Sequence, residues 1–170
     1  MTVHPVPSQL TLTESDNTAY NVLLGQLKGQ ELNDVYKNLD ISITIRPKEE
    51  KKYLRVSPKN YSSIFRSLYL SSSLSEENSN YILKLLTQTI SKDKIVAGVP
   101  DTIKVAHKIG VFEEFDTSQD IFIDCGIIYA PNRPYILCVF VFGTDEQAKK
   151  HIFYISKMIY EYISQVKSEE

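Results

Sequence analysis

Two short motifs in this chain combine residue types that could do chemistry. The first is Ser15-Asp16-Asn17, and the second is His107-Lys108-Ile109-Gly110. A hydroxyl can pass a proton, an amide can donate and accept hydrogen bonds, and an ammonium can attract an anion. Each motif also has an ordinary structural meaning, because Ser, Asp and Asn are common helix N-caps and a lysine beside a glycine is common at a sheet edge or bulge. Their chemical meaning therefore depends on whether the fold brings them together.

The three histidines do not indicate a metal site. Neither His4 nor His151 has an acid or a thiol at metal-ligand spacing, and His107 lies within a predicted strand. The sequence contains no H-E-x-x-H motif, no glycine-rich phosphate loop and no G-x-S-x-G turn. We therefore expect neither a metal ion nor a cofactor.

The composition is that of an ordinary globular protein. A length of 170 residues with 42% hydrophobic content favours one domain with a sizeable core. The 19 basic and 21 acidic side chains give a net charge of −2, so we expect no nucleic-acid partner. No stretch approaches the roughly 18 apolar residues of a membrane span. The start of the sequence lacks the basic and apolar regions of a signal peptide, so the chain as written is expected to stay in the cytoplasm.

The two cysteines, Cys125 and Cys138, are too few for a disulfide framework or a four-ligand metal site. Our first interpretation is a pair of buried, reduced thiols on neighbouring strands. A single cross-strand disulfide is the alternative.

The hydrophobic pattern predicts an irregular start followed by helices. Residues 1–13 are rich in Pro and Thr and predict an irregular leader. Residues from about 14 to 95 show helical spacing, with Ser15 and Ser57 as predicted N-caps. Residues 41–45 alternate as a strand would, but the charged stretch over 46–52 favours a surface loop, which we predict over 41–55.

The second half of the chain, about 102–167, shows the period of strands. Strands are predicted over 103–112, 121–129 and 135–142, and a capping box at Thr144–Gln147 opens a last helix. The order predicts an α+β domain over 14–170, with helices first, then a three-stranded antiparallel meander, then a C-terminal helix covering one face.

In this order and context, the two motifs resemble those of the class A β-lactamase-like group of penicillin-recognising serine hydrolases, whose motif set is S-x-x-K, S-D-N and K-T-G. Ser15-Asp16-Asn17-Thr18-Ala19 looks like the second motif, and Val105-Ala106-His107-Lys108-Ile109-Gly110 looks like the third. Asp124-Cys125-Gly126-Ile127-Ile128 and Pro134-Tyr135-Ile136-Leu137 resemble the two strands that follow. The likeness covers nearly the whole chain and implies an incomplete α/β three-layer fold of β-lactamase type.

The resemblance implies a role for each site residue. Ser15 and Lys108 would be catalytic, with Ser15 relaying a proton to the leaving nitrogen and Lys108 attracting the substrate carboxylate. Asn17 and Gly110 would bind substrate, and Asp16 would face inward and tie the loop together. The substrate would be a small-molecule or peptide acyl compound, such as a β-lactam or a D-alanyl peptide. Complete relatives would act in the periplasm or outside the cell.

The sequence departs from the family pattern in three ways. No S-x-x-K precedes the first motif, and the matches that begin at Ser91 and Ser164 come too late in the order, so we interpret them as chance. Ile109 stands where the third motif has Thr or Ser. Glu49 and Glu50 lie in the region of the class A loop glutamate but lack the surrounding pattern, so we interpret them as solvated acids.

Three functions therefore remain open. The first is a β-lactamase-like acyl hydrolase that is truncated or weakly active because the nucleophile motif is absent. The second is a catalytically inactive relative that binds peptidoglycan-like ligands or a protein partner, and the third is an unrelated α+β interaction module. The third would be excluded if Ser15 and Lys108 meet in one cleft. Because the family's sheet has further strands, we also expect an exposed apolar edge at Tyr135–Phe142 that could form a homodimer.

Overall fold

The structure, a computed structural model, describes residues 5–27, 29–38, 42–45, 52–112 and 119–166. The helices of these residues are α1 (Pro5–Thr13), α2 (Asn17–Leu24), α3 (Gly29–Asn38), α4 (Pro58–Tyr69), α5 (Glu76–Leu86) and α6 (Asp145–Gln165), with a short 3-10 turn at Val96–Gly98. The strands are β1 (Ser42–Ile45), β2 (Lys52–Arg55), β3 (Val105–Phe112), β4 (Asp120–Ile128) and β5 (Tyr135–Gly143).

The main sheet is an antiparallel meander of β3, β4 and β5 in that order, and β1 pairs with β2 in a separate hairpin. The C-terminal helix α6 packs on one face of the main sheet, and α4 and α5 pack on the other. This arrangement confirms the predicted α+β class, the three strands and the closing helix.

Side-chain caps define where several helices begin. Ser57 accepts from the backbone N–H of Asn60 ahead of Pro58, and Ser75 caps α5 in the same way. Thr144 and Gln147 form the predicted capping box of α6. Such caps satisfy N–H groups that have no partner within the helix, and each contributes about 1 kcal/mol.

The prediction of an irregular leader is wrong for residues 5–13, which form α1. Proline is tolerated in the first turn of a helix because its N–H would be unpaired there in any case, so Pro5 and Pro7 do not prevent helix formation. The helix is held by tertiary packing rather than by a clear apolar period, with Leu12 packed against the cluster around Phe65. The loop predicted over 41–55 is also wrong where β1 and β2 pair.

The core is divided between the two faces of the main sheet. One cluster joins α6 and the segment before β3 to the sheet, and its fully buried members include Ile95, Ile128 and Ile152. The other joins α4 and α5 to the opposite face through Phe65 and Leu86. These two layers fix the sheet from both sides.

Cys125 and Cys138 are directly opposite one another in the pairing of β4 with β5. The structure joins their sulfurs in a disulfide. Their predicted place on neighbouring strands is confirmed, whereas the prediction of two reduced thiols is wrong and the cross-strand alternative is what the structure contains. Opposed residues of adjacent antiparallel strands have close Cβ atoms, which is why this pair can bond.

Candidate functional site

Ser15 lies in the tight connection between α1 and α2. Its φ of 58° is in the left-handed region, which few residues other than glycine adopt. The Ser15 side chain is exposed, and it does not cap α2 as predicted, because Asp16 is the N-cap. The Asp16 carboxylate accepts a 2.6 Å hydrogen bond from the backbone N–H of Ala19. Asp16 thus orients the loop and leaves the Ser15 hydroxyl free to face the sheet.

Lys108 lies on β3, which is hydrogen-bonded on one side only among the strands that the structure describes. Its backbone is directly opposite Cys125 of β4. The side chain is half-buried, and its Nζ donates to the carbonyl oxygen of Ile109 at 3.1 Å. Burial lowers the pKa of Lys108 below the ordinary value of 10.5, and the negative charge of Asp124 opposes that shift.

The two side chains meet. Lys108 Nζ donates a hydrogen bond to Ser15 Oγ, although the two residues are 93 positions apart in the sequence. The structure therefore brings the two predicted catalytic residues into one site. This contact removes the interpretation of the motifs as an unrelated cap and an unrelated edge lysine.

Two cavities open beside this pair. A cavity of about 290 Å³ is lined by Ser15, Lys108 and Ile109 together with Thr89 and Ser91. A larger cavity of about 680 Å³ lies on the side of α4 and α5 and is mostly apolar. The second cavity is lined by Leu12, Tyr61, Phe65, Leu68, Leu86 and Lys108, among others. Lys108 lines both cavities, so its side chain lies between the smaller space and the larger one.

The other predicted site residues are near the pair but are not bonded to it in the contacts described. Asn17 is exposed at the first position of α2. Gly110 lies two residues beyond Lys108 on β3, and a Cβ built there would be 3.9 Å from Ile123 Cβ, an ordinary contact. Packing therefore does not require glycine at this position.

A buried polar chain next to Lys108 was not predicted from the sequence. His107 Nδ1 is 2.8 Å from Asp124 Oδ1, and His107 Nε2 is 2.6 Å from Thr89 Oγ1. The second carboxylate oxygen of Asp124 accepts from the backbone N–H of Ile95 at 3.0 Å. His107 and Asp124 are 1% and 0% exposed, so each depends on these partners. The available signal was that His107 and Asp124 interrupt otherwise apolar strands, which calls for a paired polar neighbour.

The S-x-x-K match that begins at Ser91 does not form a serine–lysine pair like that of the main site in the contacts described. Lys94 pairs with Asp93 and Asp145, and the Ser91 hydroxyl bonds Asp93. The second match ends at Lys167, and the acids at positions 49 and 50 also lie outside the described residues. In the part of the chain that the structure describes, His, Cys, Asp and Glu do not gather in groups of three or more that could hold a metal ion.

The fold is shared with solved structures of β-lactamases and of PBP-A. A β-lactamase from Sphaerobacter thermophilus superposes with a TM-score of 0.81 at 22% identity over 95% of this chain and 63% of that one. TLA-1 extended-spectrum β-lactamase gives a TM-score of 0.78 at 21% identity, covering 92% and 63%. PBP-A gives 0.75 at 21% identity, covering 94% and 61%. The chain thus spans a little over three fifths of the length of these solved structures.

The sequence itself matches the model of the "Beta-lactamase enzyme family" over residues 8–163. The chain belongs to this family, as its two motifs indicated. None of the helices within the described ranges is long and apolar enough to cross a membrane.

Proposed function

We propose that this chain provides the Ser15–Lys108 half of a β-lactamase-like serine hydrolase site, acting on β-lactams or D-alanyl-peptide type acyl compounds. The observation that supports this most directly is the hydrogen bond from Lys108 Nζ to Ser15 Oγ beside the two cavities. Both substrates carry a carboxylate near a scissile amide, and a half-buried ammonium is suited to attract that carboxylate.

The proposed step is proton delivery during acyl transfer. When a nucleophilic hydroxyl attacks the acyl carbon and the C–N bond breaks, the leaving nitrogen must gain a proton. Ser15 gives its hydroxyl proton to that nitrogen and takes one from the Lys108 ammonium through their hydrogen bond. The proton that the attacking hydroxyl loses as the new C–O bond forms returns to the Lys108 amine, so the relay balances. Burial lowers the pKa of Lys108, which makes its ammonium a better proton donor than a solvated one.

The neighbouring residues complete the proposed site. The exposed amide of Asn17 holds the substrate's side-chain amide, and the space around Gly110 lets the substrate approach β3. Asp16 is a positioning residue, since its carboxylate caps α2 and thereby sets the direction of the loop.

One feature favours low activity or a binding role. Ile109 cannot donate the hydrogen bond that a Thr or Ser would give to the substrate carboxylate. The alternative function is therefore a catalytically inactive β-lactamase-fold domain that binds peptidoglycan-like ligands or a protein partner.

Hydrolysis of a chromogenic cephalosporin and labelling by a fluorescent penicillin separate the two functions. Turnover that is lost in Ser15→Ala and Lys108→Met, and kept in the exposed controls Ser164→Ala and Lys150→Met, supports the hydrolase. Reversible binding without turnover, sensitive to Lys108→Met, supports the inactive binding domain. The absence of both binding and turnover would contradict both functions.

Location outside the cytoplasm is part of the proposal. A disulfide such as Cys125–Cys138 forms and persists in oxidising compartments, which agrees with a periplasmic or secreted protein and not with the cytoplasmic location expected from the start of the sequence. Protein isolated from the cell envelope should shift on a gel when it is reduced, or have the mass expected for one disulfide. Two free thiols in that protein would contradict the proposed location.

A further inference from the structure

Ser15 and Lys108 lie on segments that are far apart in the sequence, and their own contact is near the surface. A single hydrogen bond at such a place contributes on the order of a factor of five or less to the population of one geometry. The precise approach of the two side chains therefore requires other contacts between the Ser15 loop and β3.

The residues that follow α5 supply such contacts on both sides. The backbone N–H of Ile90 donates to the carbonyl oxygen of Thr13 at 3.1 Å, and Thr13 is two residues from Ser15. The hydroxyl of Thr89, the preceding residue, is bonded to His107 Nε2 at 2.6 Å, and His107 precedes Lys108. One dipeptide thus touches the neighbours of both members of the pair.

The His107 end of this bridge is hydrogen-bonded through both ring nitrogens. The Asp124 carboxylate holds Nδ1 of the ring and is itself held by the N–H of Ile95. An imidazole that donates from Nδ1 leaves Nε2 to accept from the Thr89 hydroxyl. Successive residues of a strand point to opposite faces, so fixing His107 on one face also fixes the direction in which Lys108 leaves the other.

We infer that Thr89 is a positioning residue, which locks the Ser15 loop to β3 and so holds Lys108 against Ser15. The inference rests on the proposed function for the meaning of the pair, but the contact can be measured without substrate. The charge of Asp124 acts on Lys108 across the sheet, and Tyr61 of α4 and Glu14 of the loop line the cavities that Lys108 also lines.

Nuclear magnetic resonance on the full chain tests whether Thr89 positions Lys108 against Ser15. The nuclear Overhauser effect between Lys108 Hε and Ser15 Hβ reports the contact, and the titration of the Lys108 side chain reports its burial. We compare Thr89→Val, which keeps the shape and removes the hydroxyl, with Thr89→Ser, which keeps the hydroxyl. Thr87→Val is the matched control, because the Thr87 hydroxyl bonds only the nearby Lys84 carbonyl among the contacts described.

In Thr89→Val the Overhauser effect should fall about five-fold, as expected when one buried hydrogen bond is lost, and the pKa of Lys108 should rise toward 10.5 as the side chain becomes solvated. Thr89→Ser and Thr87→Val should leave both unchanged. If Thr89→Val does not fold by circular dichroism, Thr89→Ala replaces it. An unchanged contact and an unchanged titration in a folded hydroxyl-free variant would overturn the inference. A variant that shows the predicted loss while the unmodified chain binds no β-lactam would leave the inference intact and count against the proposed function.

Discussion

Gly126 lies directly opposite His107 in the pairing of β4 with β3, and the two strands can approach this closely at His107 because Gly126 has no side chain. A Cβ at position 126 would be 2.5 Å from His107 Cβ and 2.6 Å from the carbonyl oxygen of Ala106. Both neighbours are buried, so neither can move away freely. The buried chain from Thr89 to Asp124 therefore depends on a glycine.

Replacing that glycine should be costly. Gly126→Ala is expected to lower the free energy of unfolding by more than about 2 kcal/mol, because backbone and a buried Cβ must shift. Gly110→Ala is the matched control on the neighbouring strand, where the new methyl meets only ordinary contact, and it should change stability by less than about 1 kcal/mol. Urea denaturation measures both. Equal effects of the two substitutions would argue against the close approach.

The Ser15–Lys108 hydrogen bond should appear as a coupling energy. A double-mutant cycle with Ser15→Ala and Lys108→Met is expected to give about 0.5–1 kcal/mol, since the bond is charge-assisted but lies near the surface. The cycle Ser164→Ala with Lys150→Met, two exposed positions on α6, should give a value within error of zero. A zero coupling in the first cycle would mean that the two side chains do not meet in solution.

The Tyr135 hydroxyl is buried and has no hydrogen-bond partner in the described part of the chain. Burial, together with Tyr160, raises the pKa of Tyr135 to about 12 from an ordinary 10.0. The folded-state pKa is above the unfolded one, so folding favours the neutral form of Tyr135. The free energy of unfolding is therefore unaffected by this group below pH 10.0, and it falls as the pH rises through about 12.

Tyr135→Phe should therefore leave the free energy of unfolding at pH 7 unchanged or raise it by about 1 kcal/mol, since an unpaired buried hydroxyl is removed. It should also reduce the loss of stability at alkaline pH. Denaturation curves at a series of pH values check this, with the exposed Tyr154→Phe as control. A Tyr135→Phe variant that is clearly less stable at pH 7 would show that the hydroxyl has a partner.

The outer strand β5 is hydrogen-bonded only to β4 among the described strands, and we predict that the chain self-associates through this edge. Phe142, near its end, is 57% exposed. Phe142→Lys should shift size-exclusion elution toward the monomer, because a charge on an edge strand disfavours pairing. Tyr154→Lys on α6, also 57% exposed, should not. A heat-resistant monomer of the unmodified chain would contradict the prediction.

The sheet and its closing helix could be predicted because their sequence signals are local. Alternation marks the three strands, and the Thr144–Gln147 capping box marks the start of α6. The helix α1 could not be predicted in this way, because its first turn contains prolines and its stability comes from distant contacts of Leu12. Propensity and period describe a segment alone, whereas tertiary packing can reverse what they favour.

The site likewise has features that the sequence predicted and features that only the fold reveals. The residue types of Ser15 and Lys108 suggested a shared function, and their contact depends on the fold that brings α1, β3 and the residues after α5 together. The role of Asp16 as the cap, and of Thr89 as the link to His107, needed coordinates because several nearby residues could have served equally well. A buried histidine in a strand predicts that a partner exists but not which one.

Titration of the isotope-labelled chain with benzylpenicillin, followed through the backbone amides, tests the Ser15–Lys108 site most directly. We expect the shifts to concentrate on Ser15, Asn17, Lys108 and Gly110. They should disappear in Lys108→Met and persist in Lys150→Met. Shifts confined to another part of the molecule, or shifts that survive the loss of the Lys108 ammonium, would contradict the claim that this serine and this lysine form one acyl-substrate site.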